Sequence, residues 1–177
     1  IFIYQNGLGI LDKRTNNSFF LIGYKKFIQL HNRWYFASLI RGKTALNKPP
    51  FYFLGGLGYG NHLVRGYEYY VINGEHYALG KVQIRYALLD NKIFRLNFLP
   101  FDKFNKVPLS IYLGTYVDGG YVSEATVPNQ NFLNEQWMTG TGFSIDLATY
   151  YDVVFRFEYS INNLNEKGLF IHFVAPL

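Results

Sequence analysis

The sequence predicts an all-β protein, an antiparallel sheet of about eight strands with no helix, on three observations. Apolar residues recur with a period of two in one segment after another. No window carries the 3.6-residue period of an amphipathic helix. The links between alternating segments include tight turns and much longer loops, as in an up-and-down transmembrane β-barrel with short turns at one end and large loops at the other.

Residues 1–10 are a weak strand candidate. Residues 18–30 and 34–43 read as two strands joined by a tight turn at His31, Asn32 and Arg33. A long loop then covers about 44–75. In the next strand Val82, Ile84, Tyr86 and Leu88 lie opposite Gln83, Arg85 and Ala87. A link at 90–107 carries Lys92, Pro100, Lys103 and Lys106, with Pro108 just beyond it. Beyond it, Leu109, Ile111, Leu113, Thr115 and Val117 lie opposite Ser110, Tyr112, Gly114, Tyr116 and Asp118. A loop at 122–136 precedes a strand in which Phe143, Ile145 and Leu147 oppose Ser144, Asp146 and Ala148. After a short turn at 150–152, Val153, Phe155, Phe157 and Tyr159 oppose Val154, Arg156, Glu158 and Ser160. A loop at 161–167 leads to a last strand at 168–174.

Composition narrows the class. The chain has 177 residues, one domain or part of a larger protein. Aromatics are 20% and charged residues only 16%, against roughly 25% charged in ordinary globular chains. The absence of cysteine excludes a disulfide scaffold, a thiolate zinc site and a cysteine nucleophile. No apolar run is long enough for a spanning helix, and the uncharged stretch 49–64 is broken by prolines and glycines. The net charge is +5, but its basic residues are scattered singly or in pairs such as Lys13-Arg14 and Lys25-Lys26, so no nucleic-acid partner is expected. The start at Ile1, without methionine or a leader pattern, implies a removed signal or the C-terminal piece of something longer.

No enzyme, cofactor or metal is expected. His31, His62, His76 and His172 show no ligand spacing. Gly56, Gly58 and Gly60 are not followed by a helical pattern or by the lysine and hydroxyl of a phosphate loop. There is no nucleophile elbow. Asp146, Asp152 and Glu158 are explained by the electrostatics of a polar face.

The two strand faces have opposite meanings in water and in lipid. A soluble sheet turns its apolar face to a core. A membrane barrel turns that face to acyl chains and crowds glycines, tyrosines and paired charges into its lumen. Gly114, Tyr112, Tyr116, Asp118, Arg156, Glu158, Gln83 and Arg85 are expected on the lumen face, and Trp34, Phe20 and Tyr159 in the interfacial girdles.

Within the longest loop stands Val64-Arg65-Gly66-Tyr67. It reads either as an ordinary turn or as a loop that folds back and sets its guanidinium on a lumen carboxylate. Arginine suits the second role because its planar fork binds a carboxylate through two bonds and stays charged. Asp118, in Tyr116-Val117-Asp118-Gly119-Gly120, is the partner on offer, with Gly119 and Gly120 leaving space for an incoming backbone.

These two motifs resemble those of the BamA/TamA-type outer-membrane surface-antigen superfamily, whose sixth extracellular loop carries Val-Arg-Gly-Phe/Tyr and whose next-but-one strand carries Phe/Gly-x-Asp-x-Gly, its aspartate meeting that arginine in the lumen. Val64-Arg65-Gly66-Tyr67 matches the first; Tyr116, Asp118 and Gly120 match the second, with Tyr116 in place of Phe or Gly. The resemblance spans about residues 34–174, including the last two hairpins. Many members carry a glutamate on the intervening strand where this chain reads Gln83-Ile84-Arg85, and members commonly end on an aromatic residue where Phe173 is followed here by 174–177.

The resemblance implies the C-terminal half of a barrel of about 16 strands, with the family's N-terminal POTRA domains outside these residues. It implies a bacterial outer-membrane protein that inserts other β-barrel proteins or translocates polypeptide. Expected partners are the lipid bilayer and lipopolysaccharide, client outer-membrane proteins and accessory lipoproteins. A weakly paired last strand containing Gly168, Phe170 and Phe173 would form one side of a seam that accepts an incoming strand, and the polar loop at 162–165 would keep it easily opened. The alternatives are a passive channel, a barrel anchoring an N-terminal patatin-type lipase, and a soluble all-β binding domain.

Overall fold

A computed structural model describes residues 2–7, 17–48, 54–60, 62–95, 106–123, 131–149 and 153–174. Among them the chain is all-β and antiparallel, with no helix. The strands are β1 (Phe2–Gly7), β2 (Asn17–His31), β3 (Trp34–Ala45), β4 (Gly55–Leu57), β5 (Ile72–Asn73), β6 (His76–Arg95), β7 (Lys106–Ser123), β8 (Trp137–Ala148), β9 (Val154–Asn162) and β10 (Lys167–Val174). Eight of them form one sheet in the order β1-β2-β3-β6-β7-β8-β9-β10, and β4 and β5 pair as a small ribbon within the long loop. The large sheet is not closed on itself: β1 and β10 are its two edges.

Every neighbour in this meander except β3 and β6 is also a neighbour in sequence. That one connection is the long loop. It leaves after β3, forms β4 and β5, and crosses one face of the sheet before β6 begins.

Several strands run further than the alternation indicates. β6 has 20 residues and β7 has 18, so much of the link expected at 90–107 is strand. The period is lost there because the β6/β7 register shifts between Ala87 and Leu89 and again between Leu89 and Lys92, and each bulge moves the following side chains to new faces. β8 begins at Trp137 and runs through Gly140 and Gly142, and β7 continues through Gly119 and Gly120. Such glycines suggest a loop in isolation, but here they lie in the ladder. The turn after β2 contains only Asn32 and Arg33. The turn expected at 150–152 and the tail 175–177 lie outside the described residues.

The sheet is inverted relative to one folded around its own apolar face. Val117 is 60% exposed and Phe143 is 68% exposed, while Asp118 is fully buried and Ser144, Asp146, Glu158 and Ser160 are almost so. The conventional core lies between the long loop and the polar-bearing face. Leu57, Val64, Tyr67 and Ile72 of the loop pack with Tyr77, Leu79, Val122 and Met138 of the sheet and Leu133 of the segment before β8. The opposite face, with Ile40, Val82, Ile84, Leu113, Ile145 and Phe157 among its residues, is left uncovered.

Candidate functional site

The site begins with a tight turn. Tyr67 N–H donates to the Val64 carbonyl at 3.0 Å, so residues 64–67 close on themselves with Arg65 and Gly66 at the tip. Gly66 has φ +94°, the left-handed value that the third residue of a type II turn requires and that a side chain disfavours. Val64 and Tyr67 are buried in the apolar cluster on either side. The turn therefore needs this residue order: two apolar anchors, one glycine, and one side chain free to point into the sheet.

That side chain is the arginine. Arg65 Nη2 donates to Asp118 Oδ1 at 2.6 Å and Nε to Oδ2 at 2.8 Å, the paired geometry of a guanidinium on a carboxylate. The Arg65 backbone N–H also donates to Asp118 Oδ2, at 3.2 Å. Nη1 reaches Gln83 Oε1 and Glu158 Oε1, each at 3.3 Å. The guanidinium carbon lies 3.6 Å from the Tyr116 ring centroid, a cation–π contact. Of the two readings of the turn, the geometry is the one in which the loop folds back onto the acid.

Each predicted residue can be placed. Tyr116 covers the guanidinium and bonds Ser160 Oγ through its hydroxyl at 2.6 Å. Gln83, on β6, serves as a neutral acceptor. The second carboxylate comes from Glu158 on β9. Arg85 and Arg156 lie on the same face and gather on Asp146: Arg156 pairs with it at 2.7 and 3.0 Å, and Arg85 Nε lies 3.4 Å from it, while Arg85 also donates to Gln83 Oε1 at 3.0 Å and Arg156 lies 3.9 Å from Glu158, which joins this group to the Arg65 site. Gly120 faces Val64 and Leu57 so closely that a Cβ would stand 2.5 Å from Val64 Cγ2, whereas Gly119 borders open space. Of the two glycines expected to admit the loop, only Gly120 does so. Gly168, Phe170 and Phe173 fall on the edge strand β10, with Phe170 on the covered face beside Tyr69 and Phe173 on the bare face.

Three contributions were not singled out from sequence. Gly140 on β8 lies against the loop backbone, and a Cβ there would collide with the Arg65 carbonyl oxygen. Lys81 reaches Asp118 at 3.7 Å. The loop after β9 is tied down, contrary to the expectation of an easily opened segment. Asn162 Nδ2 donates to the Gly66 carbonyl at 2.9 Å and to Glu166 Oε2 at 2.8 Å, while Asn162 Oδ1 accepts from Leu164 and Glu166 N–H. Asn163 contacts the Tyr67 hydroxyl and the Trp137 carbonyl, and Tyr70 donates to Glu166 Oε1 at 2.7 Å. These asparagines lay within a stretch expected to be loose. The asparagines at 162, 163 and 165 are a sequence signal for a tight turn, where Asn165 takes a positive φ, but they do not record the contact with the long loop.

Two loop carboxyls are perturbed in opposite directions. Burial pushes Glu68 up, against the pull of its backbone hydrogen bonds. Glu166 is held below its ordinary range by the bonds from Asn162 and Tyr70.

No family model, curated protein or solved structure matches the chain significantly.

Proposed function

We propose that this chain is the C-terminal part of an outer-membrane β-barrel of the assembly and translocation type. It inserts other β-barrel proteins, or moves polypeptide, by pairing an incoming strand with a barrel edge. The observation that carries the reading is the loop arginine seated on a buried aspartate two strands away, with Val64-Arg65-Gly66-Tyr67 at one end and Tyr116-Val117-Asp118-Gly119-Gly120 at the other. The bare apolar face and covered polar face support a lipid exterior and a polar lumen. β2, β3, β6, β7 and β8 each have 12 or more residues, and a tilted strand needs about 9–11 to cross a bilayer.

On this reading the long loop is extracellular and plugs the lumen, and the sheet is the second half of a barrel of about 16 strands. β10 pairs only with β9, so its outer row of N–H and C=O groups is available for strand addition. The work is physical, with no bond made or broken in the client.

Complementation tests this. Cells depleted of the native protein and supplied with Arg65→Ala or Asp118→Ala should accumulate unassembled outer-membrane proteins while the variants remain in the membrane. Two silent substitutions would remove the reading. A steady single-channel conductance from the purified protein would favour a passive pore, and extraction without detergent a soluble domain.

A further inference from the structure

We propose that Glu68, Glu158 and His172 form a binding site for a divalent transition-metal ion such as Zn2+. The three residues come from separate elements: the long loop, β9 and β10. Each places one ligand atom so that all three lie within 4.8 Å of one another.

The register explains how the strand pair reaches the site. Phe170 faces Glu158 and His172 faces Arg156 across β9 and β10. Glu158 and His172 are thus diagonal neighbours on one face, near enough for long side chains to meet. His172 Nε2 stands 3.2 Å from Glu158 Oε2. Glu68 comes from the turn that follows Arg65, and its Oε2 accepts from the Gly66 N–H at 2.8 Å.

The unused atoms point to a ligand. Glu68 Oε1 is buried from solvent with no hydrogen-bond partner among the described residues, and His172 Nε2, also buried, stands against Glu158 Oε2. A buried carboxylate oxygen left unsatisfied is unfavourable unless something bridges it. On Glu158, Oε1 takes the contacts of Arg65 at 3.3 Å and Arg156 at 3.9 Å, leaving Oε2 toward His172.

The donor chemistry selects the ion. One imidazole with two carboxylates suits zinc and its first-row neighbours, whereas Ca2+ and Mg2+ take oxygen donors alone. Ligand atoms around tetrahedral zinc stand about 3.3 Å apart, given bonds of about 2.0 Å. A short inward shift of the Glu68 side chain would close the set, with the fourth position left to water. A bound ion would fasten the loop to both strands of the last hairpin. This inference does not depend on the assembly reading, since it requires only the three side chains.

The test uses the full-length protein in detergent, stripped with chelator. It is titrated with Zn2+ by calorimetry and with Co2+ by visible absorption at about pH 7.5. The expected result is one site per chain, weakened at least about tenfold by Glu68→Gln and by His172→Gln. Each variant is first checked for folding by circular dichroism and thermal melting; His172 lies on an edge strand, so its variant keeps the proposal testable if Glu68→Gln misfolds. A flat Zn2+ titration, or a site unchanged by His172→Gln, would overturn the proposal.

Discussion

Replacing Asp118 by alanine removes the deepest contact of the long loop. Arg65 would lose its two charge-assisted side-chain bonds, at 2.6 and 2.8 Å, and the bond from its backbone N–H at 3.2 Å. It would keep the longer Nη1 contacts to Gln83 and Glu158. Hydrogen bonds to charged groups contribute about 1.5–3 kcal/mol each, and breaking a buried pair from one side costs about 3–5 kcal/mol. Glu158 offsets part of the stranded charge, so we place the loss near 3 kcal/mol. The sheet should persist, because Asp118 enters the ladders opposite Lys81 and Gly140 through its backbone, which alanine keeps, and the loop should leave its seat instead. At about 1.4 kcal/mol per factor of ten, that raises the open population by roughly 100-fold. Trypsin cleavage after Arg65, followed by mass spectrometry on the protein in lipid vesicles, tracks this population when opening is fast relative to cutting. Arg65→Ala and the double variant complete a cycle read by hydrogen exchange of the loop amides. A coupling below about 0.5 kcal/mol, or unchanged cleavage in Asp118→Ala, would refute the claim that this pair holds the loop.

Gly140→Ala should unseat the same loop, since its Cβ would meet the Arg65 carbonyl, at a cost of about 1–3 kcal/mol; Gly119→Ala, which borders open space, should leave trypsin cleavage unchanged. Phe143→Lys on the bare face should destabilise the protein in vesicles by about 2–4 kcal/mol if that face meets acyl chains near mid-bilayer, and a change under about 0.5 kcal/mol in a urea titration would argue for a solvated face. Glu166 is held below its ordinary range, so its stabilising contribution is present above the unfolded value of about 4.3 and is lost as pH falls through the folded value. Pepsin cleavage near Tyr69 and Tyr70 should therefore rise on acidification below about pH 4 more steeply in the native protein than in Glu166→Gln, compared at each pH. Asn162→Ala removes both of its donations and both of its acceptances, leaves the Gly66 carbonyl without that bond, and should cost about 1–3 kcal/mol, read as faster hydrogen exchange in β10.

Strand alternation is a local signal, and it was legible wherever the ladder is regular. Phe143, Ile145, Ser144 and Asp146 separate onto opposite faces as the period of two requires. The signal fails where geometry is set from elsewhere. The bulges near Leu89 are fixed by pairing with β7, so the far half of β6 could not be read from β6 alone. The pair Arg65 and Asp118 was legible for a different reason: an arginine between a valine and a glycine is costly to leave near apolar surface without an acid. Gly140 and Asn162 were not legible as parts of the site. Their roles depend on a backbone more than 70 residues away in sequence, and nothing in their own neighbourhoods records that approach.

The contacts around Arg65 divide the last five strands into two sets held with different strength. Toward β7 the loop has two short charged bonds, a backbone bond and the close packing of Val64 on Gly120. Toward β9 Arg65 itself has one longer contact, at 3.3 Å to Glu158. The hairpin β9–β10 is instead fastened to the loop through its tip, by Asn162 on the Gly66 carbonyl, Asn163 on Tyr67 and Glu166 on Tyr70. Those tip bonds involve neutral amides or an exposed carboxylate, each worth less than the buried ion pair. An incoming strand that displaces the last hairpin would have to break the β8–β9 ladder, the Arg156–Asp146 pair, the Tyr116–Ser160 bond, the tip bonds and the long Arg65–Glu158 contact, while leaving Arg65 on Asp118. On the assembly reading, the arginine's function is to stay: it keeps the loop fixed to β7 so that motion is confined to the edge where strand exchange takes place.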